Sequence, residues 1–427
     1  MSGRLSVFLC VLLAMPTGLI AQQTSSPTVE DLVRTGLARN KNLLAIRERI
    51  AEAQGTRTQA GVRPAPVLDL KGATGKPLGS YGEEQYGAGL SQNIETFGKR
   101  SRRIQVANFG VTQAEADLQE ASASLAYEIR SAAAERHAEQ QKLALLDDAA
   151  KVNAEAQRLT DARVREGDVA LLEANLLRVE TNRALVLKGS AQARLATAES
   201  NLRRLSGLLA GEALAPTDYV APPVENLDAL KTKALESRAD LRSARLQEAQ
   251  SQAGIELARA NGKPDVDISV GYIRQYSQFD GLFGTTPTGS IAPLRDRGDI
   301  LSFGVSIPIR SSRSVRGDVQ AATARTSGVR LRREYLERSI PIEVESAYQR
   351  WTAANESMEL LRSGVVDPST SNLQVIREAY KLGQLRLLDV LNEQRRLVDT
   401  ELAYIDAQTD AARSWAEVQR AIGGNLQ

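Results

Sequence analysis

Residues 99–207, KRSRRIQVANFGVTQAEADLQEASASLAYEIRSAAAERHAEQQKLALLDDAAKVNAEAQRLTDARVREGDVALLEANLLRVETNRALVLKGSAQARLATAESNLRRLSG, contain no proline and are rich in Ala, Leu, Glu, Gln and Arg. One break interrupts them, at Arg165-Glu166-Gly167-Asp168. The stretch predicts two very long helices meeting at a tip, the first arm reaching about 100 Å and the second roughly 60 Å at ~1.5 Å per residue. Helices of that length mean a coiled coil, a membrane bundle or a helical repeat. Their many charges exclude a membrane-spanning helix.

Outward from this stretch the pattern recurs. Gly167 aligned with Gly383 sets Ala170-Leu171-Leu172-Glu173 beside Arg386-Leu387-Leu388-Asp389 at a shift of about 216 residues. Upstream, Glu128-Ile129 and Ala132 fall on Glu343-Val344 and Ala347 at a shift of about 215. Earlier still, Asn42-Leu43 fall on Asp240-Leu241, and Pro66, Asp69 and Leu70 on Pro264, Asp267 and Ile268, at about 198. The chain reads as two tandem repeats, each helix, strand, strand and long helical hairpin. Repeat 1 is expected over 22–210 and repeat 2 over 226–424, with a Pro/Gly/Ala-rich linker at 211–225. The helical hairpins are expected over 99–208 and 314–423, and a longer loop between Ser277 and Asp299 absorbs the jump in shift.

Basic and acidic side chains nearly cancel, 54 against 52, so no strong field points to nucleic acid. Residues 1–21 read as a signal peptide, with Arg4, an apolar run Leu5–Leu13, and Gly18-Leu19-Ile20-Ala21 before Gln22. Cys10, the one cysteine, lies inside the apolar run after Leu9, which disfavours lipid attachment and leaves no thiol once the leader is cleaved. Thr28 and Asp31 form a capping-box signature opening a helix that should run to about Gly61, and a helix of the second repeat should start near Asn226.

After Pro64 and Pro66 the apolar period changes to two. Strands are expected at about 66–76, 84–95, 264–275 and 299–310. Tyr86, Leu90 and Ile94 share one face; Val266, Ile268, Val270 and Tyr272 share another, as do Leu301, Phe303, Val305 and Ile307, and these are the lipid-facing candidates. About ten residues per segment suits a tilted strand crossing a bilayer. Four strands cannot close a barrel, and open edges are not tolerated in hydrocarbon, so the barrel must be shared between chains. Three copies would supply twelve strands, although strand number alone permits other stoichiometries. Pro341 should kink the ascending helix of repeat 2, and Asp367-Pro368 marks a break halfway along that hairpin. Val111, Ala114, Leu118, Ala121 and Leu125 form a seam of 3–4 spacing, and Leu387, Leu391, Val398, Leu402 and Ile405 a less regular one.

Arg238-Ala239-Asp240-Leu241, Pro264-Asp265-Val266-Asp267-Ile268, and Tyr380-Lys381-Leu382-Gly383 followed by Leu387-Leu388-Asp389-Val390-Leu391 resemble the outer-membrane efflux proteins, the TolC-like channel family of Gram-negative bacteria. The resemblance covers nearly the whole chain after the leader. It implies a mainly α fold with a small β part: a homotrimer whose twelve-stranded outer-membrane β-barrel continues as a periplasmic α-helical barrel. It further implies docking on a periplasmic adaptor (membrane fusion) protein and an inner-membrane pump of the RND or ABC type. By position, Val164, Arg165, Gly167, Asp168, Leu382, Gly383 and Leu385 would meet the adaptor. Asp389, with Asn392 one turn on and Glu173 opposite, would form the periplasmic gate. Asn392 departs from the family's second carboxylate, and Asp389 and Glu173 equally suit a helix N-terminus. Phe97-Gly98-Lys99-Arg100 resembles the Gly-Lys-Arg stretch of channels paired with heavy-metal and divalent-cation exporters.

No enzyme, cofactor or metal site is expected. Gly72–Pro77 fails as a phosphate loop because Leu70 and Pro77 occupy required positions, and Arg-Gly-Asp at 297–299 and 316–318 reads as chance. His137 and Met358 are the only histidine and methionine after the leader, too few for a soft-metal site. Two rival readings remain at this stage: a type I protein-secretion channel, which the residues do not separate from an efflux channel, and a periplasmic coiled-coil structural or adhesin protein. The second leaves the four alternating strands unexplained.

Overall fold

The computed structural model describes residues 28–80, 82–212, 214, 226–309 and 312–424. The expected signal peptide, and all of the expected linker except residues 211, 212 and 214, lie outside them. The fold is mainly helical with one small sheet.

The opening helix is two helices, α1 (Val29–Arg39) and α2 (Lys41–Ala60). Thr28 and Asp31 form the capping box that the sequence predicts. The expected single helix to Gly61 is broken because Asn40 takes an extended conformation and caps α2, its side chain accepting from the Asn42 and Leu43 amides at 3.0 and 3.2 Å. Its amide nitrogen donates to the Leu205 carbonyl at 2.9 Å, which ties the break to the far end of the helical hairpin. Arg238 breaks the corresponding pair in the second half, α5 (Leu227–Ser237) and α6 (Ala239–Asn261), held by a two-pronged bond to Asp240 at 3.0 and 2.6 Å.

The long helices are α3 (Lys99–Glu166) and α4 (Leu171–Ser206), then α7 (Ser312–Leu361), α8 (Asp367–Lys381) and α9 (Leu387–Ala421). Pro341 does not interrupt α7: Ile340 and Val344 on either side of it are fully buried, and packing holds the helix through the missing hydrogen bond. The break expected at Asp367-Pro368 is present as a π turn, Arg362–Val366, immediately before it.

Two buried clusters hold the helices together. Leu32, Leu43, Leu125, Ile129, Ala132 and Leu202 form one; Leu230, Leu241, Ile340, Val344, Ala347 and Val418 form the other. The members correspond at the shifts of about 198, 215 and 216 residues read from the sequence. One substitution between them is compensated. A side chain on Gly36 would collide with Ile129; the corresponding positions hold Ala234 and the smaller Val344, so the packed volume is kept. Buried alanines along α3, among them Ala116, Ala126 and Ala133, let the neighbouring helices approach closely.

The sheet has the order β1-β2-β3-β4, antiparallel throughout: β1 (Val67–Thr74), β2 (Glu84–Ile94), β3 (Val266–Thr285) and β4 (Ile291–Ser306). β3 and β4 are longer than the alternation suggests, because most of the loop expected between Ser277 and Asp299 is strand, with a bulge between Gln278 and Phe283. The register sets Leu68, Leu90, Val270 and Phe303 side by side, with Leu70, Ala88, Tyr272 and Leu301 in the next row. The other face carries Asp69, Gly89, Gly271 and Ser302. One face is therefore apolar and exposed, the other small and polar. Among the described residues the α-helices all leave from one end of the sheet, and β1 and β4 each keep one edge unpaired. Among the described residues, no helix is long and apolar enough to cross a membrane.

Candidate functional site

At the first tip, Gly167 takes a left-handed conformation (φ 83°), and the Asp168 amide donates to the Arg163 carbonyl at 3.0 Å. At the second tip, Gly383 does the same (φ 73°), and the Gln384 amide donates to Ala379 at 3.0 Å. Both glycines face open space, so their backbone conformation rather than crowding requires them. Arg165, Asp168 and Leu382 are exposed, Val164 is half-buried, and Leu385 lies at the margin of exposure. Leu171, Leu172 and Leu388 are also exposed, which adds apolar surface to both tips. The correspondence of Leu172 with Leu388 at a shift of 216 residues is the sequence signal that marks them.

Glu173, Asp389 and Asn392 share no hydrogen bond or ion pair among the described residues. Asp389 is exposed and accepts from the Arg386 amide at 3.0 Å, the helix-capping role that its position in the first turn of α9 suits. The hairpins instead meet through Leu177, Leu387 and Leu391, with Tyr380 packed beside them. Above that contact, Gln394 donates to Asn153 at 2.9 Å, and Arg395 makes two bonds to the buried Glu180, one of them 2.7 Å. The hydrogen bond to Glu180 holds the Arg395 guanidinium above its ordinary pKa. This pair joins the two hairpins and was not picked out from the sequence, since nothing local to Glu180 or Arg395 marks a partner 215 residues away.

On the sheet, Tyr86, Leu90, Ile94, Ile268, Val270, Tyr272, Leu301, Phe303 and Val305 are all exposed on strands. Val266 is half-buried, and Ile307, exposed, lies just past the end of β4. Leu68 and Leu70 join the same face at 64% and 74% exposure, signalled by their alternation with Asp69 and Lys71.

Where strands become helices, Lys99 is buried. Its Nζ pairs with Asp265 at 2.8 Å and donates to the Lys263 carbonyl at 2.7 Å, while the Thr96 amide donates to the same Asp265 at 3.0 Å. Burial works to raise the Asp265 carboxyl, but the bonds from Lys99 and Thr96 together outweigh it and the carboxyl lies below its ordinary value. Arg100 donates to the Gly61 carbonyl at 2.6 Å. Lys99 of the Gly-Lys-Arg stretch thus fastens the first half of the chain to the second. Among the described residues, no group of three or more His, Cys, Asp or Glu side chains could hold a metal ion.

The sequence profile of the family described as "Outer membrane efflux protein" matches residues 32–208 and again 230–424. Nodulation protein T of Rhizobium leguminosarum bv. trifolii is 24% identical over 93% of this chain and 86% of its own length. Among solved structures, the Campylobacter jejuni CmeC outer membrane channel is similar with a TM-score of 0.73, at 14% identity, over 99% of this chain and 94% of that one. The open state of the Neisseria gonorrhoeae MtrE outer membrane channel is similar with a TM-score of 0.72, at 20% identity, over 94% of this chain and 90% of that one.

Proposed function

This chain belongs to the outer membrane efflux protein family, and on that premise we propose that it is a passive, trimeric exit duct, the outer-membrane component of a tripartite efflux system. The observation that carries this reading is a sheet with one exposed apolar face and, among the described residues, two unpaired edges, continuous at one end with long helices of which α3 reaches about 100 Å. Lipid covers the apolar face. Neighbouring copies pair the edges of β1 and β4, because unpaired backbone groups cost several kcal/mol each in hydrocarbon. Three copies of the four-stranded sheet make a twelve-stranded barrel, and the hairpins continue it as a helical tunnel in the periplasm. The chain is two copies of one unit, a reading supported by the paired cores, the two glycine tips and the double match to the family profile.

In this reading the exposed leucines and glycine turns of the tips dock on a periplasmic adaptor, and an inner-membrane pump supplies the energy and the small molecules or metal cations. Three copies of Asp389 around the narrow end attract cations and, by mutual repulsion, favour opening. Capping and gating by Asp389 are separable. Asn keeps the cap but removes the charge, so Asp389→Asn in planar bilayers should lower cation preference while helix content and thermal stability stay unchanged. Unaltered selectivity and conductance would remove the gate assignment, and a wild-type protein that inserts into no bilayer would remove the duct.

A further inference from the structure

The outer face of the sheet changes character at one row. Below it, toward the helices, lie Leu90, Val270, Phe303 and their apolar neighbours. Above it, on the same face by register, β3 and β4 present Arg274 paired with Asp299, Tyr276 with Arg297, and Gln278 with Arg295. Asp299 organises two of these cations: Arg274 Nε donates to it at 2.8 Å and Arg297 at 2.9 Å, while the Tyr272 hydroxyl donates to it at 2.6 Å. Arg295 is exposed and has no ion-pair partner among the described residues. Among the described residues, one carboxylate between three guanidiniums leaves the patch with excess positive charge. The corresponding row of the first hairpin is balanced, Lys76 being paired with Glu84.

We propose that Arg274, Arg295 and Arg297 form a binding site for the phosphate-bearing headgroup of a lipid in the outward-facing leaflet of the outer membrane. The inference rests on the barrel orientation proposed above, with the helices in the periplasm. Alternate residues on a strand stand roughly 7 Å apart on one face, so the arginines span a headgroup rather than a single small ion. Tyr86, Tyr272 and Tyr276, 53%, 42% and 37% exposed, lie at the level where an aromatic belt meets headgroups, with the acyl chains against Leu301 and Phe303. Guanidinium forks match phosphate oxygens two at a time, and holding Arg274 and Arg297 on Asp299 removes part of the ordering cost before lipid arrives.

The test is native mass spectrometry of the full-length protein in mild detergent, titrated with an acylated glucosamine disaccharide carrying phosphates and with the same lipid after phosphatase treatment. Insertion into planar bilayers is scored in parallel. The phosphorylated form should bind more tightly, and Arg295→Ser and Arg297→Ser should each weaken it about fivefold, with insertion intact. Lys71→Ser, on the opposite face, should leave it unchanged. Equal binding of the two lipids by inserting wild-type protein overturns the site alone, and this arm needs no variant to fold. Loss of equal size in Lys71→Ser reduces the effect to general charge and also overturns it. Displacement of the lipid by inorganic phosphate overturns the lipid assignment in favour of free anion. A wild-type protein that fails to insert overturns the duct and the site together.

Discussion

The two ascending arms of the molecule were set by similar sequence and are built differently. α3 runs 68 residues without interruption, whereas its counterpart is α7, a π turn over Arg362–Val366 and then α8. The repeat shift accounts for the difference. Ala132 falls on Ala347 at about 215, but Gly167 falls on Gly383 at about 216, so the second arm holds one extra residue in the interval that contains the π turn. A π turn absorbs an inserted residue locally and keeps the faces beyond it in register. The second arm thereby gains a joint that the first lacks.

Deletion gives the largest expected contrast. Removing Gly364 should convert the π turn to plain α-helix and leave both faces in place, so that assembly survives with thermal stability unchanged or raised by about 1 kcal/mol. Removing Ala149, at the matching position of α3, should turn everything below it by about 100° and abolish assembly, read by native gel and circular dichroism. The comparison falls if both deletions are tolerated.

A smaller effect is expected at the tie between hairpins. Arg395→Ala leaves the buried Glu180 unpaired and should cost about 2–3 kcal/mol in thermal unfolding, at the low end for a buried pair because Arg395 is 40% exposed. Glu180→Gln with Arg395→Gln should restore most of that loss.

The compensated pair sharpens the comparison between the two cores. Gly36→Ala overpacks against Ile129 and should cost about 1–3 kcal/mol, and adding Ile129→Val, which recreates the packing of Ala234 and Val344, should recover at least half.

Acid should act on the first hairpin more than the second. Burial works to raise the Glu139 carboxyl, but Arg194 and Lys142 outweigh it and hold the group below its ordinary value. Its contribution is complete above the ordinary glutamate pKa, about 4.3, and is lost as pH falls through the depressed value. Ala354, at the matching position of the second arm, has no such group. Glu139→Gln should therefore flatten the fall in melting temperature below about pH 4. Glu401 works the other way: burial raises its carboxyl, so it opposes folding above the raised value and that penalty disappears on acidification.

Much of this was legible in the residues. Thr28 with Asp31, the glycine tips, Asp367-Pro368 and the alternation of Val266–Tyr272 each encode local geometry by themselves, and the structure places the corresponding cap, turns, break and strand there. What escaped depended on distant partners. Asn40 breaks its helix partly because the Leu205 carbonyl is available, and Lys99 is buried because Asp265 meets it. The extension of β3 and β4 escaped for another reason, since Arg295, Arg297 and Gly298 do not alternate with apolar residues and carry no strand signal.

The unpaired edges of β1 and β4 have a genetic consequence. If each ring is finished by three chains drawn at random, a cell making equal amounts of sound and edge-defective polypeptide would contain roughly one fully sound ring in eight. A lesion on either rim, Pro at a position of β4 whose N–H points away from β3 for example, should therefore be dominant over the intact allele, whereas a lesion confined to a tip should be diluted by its healthy companions.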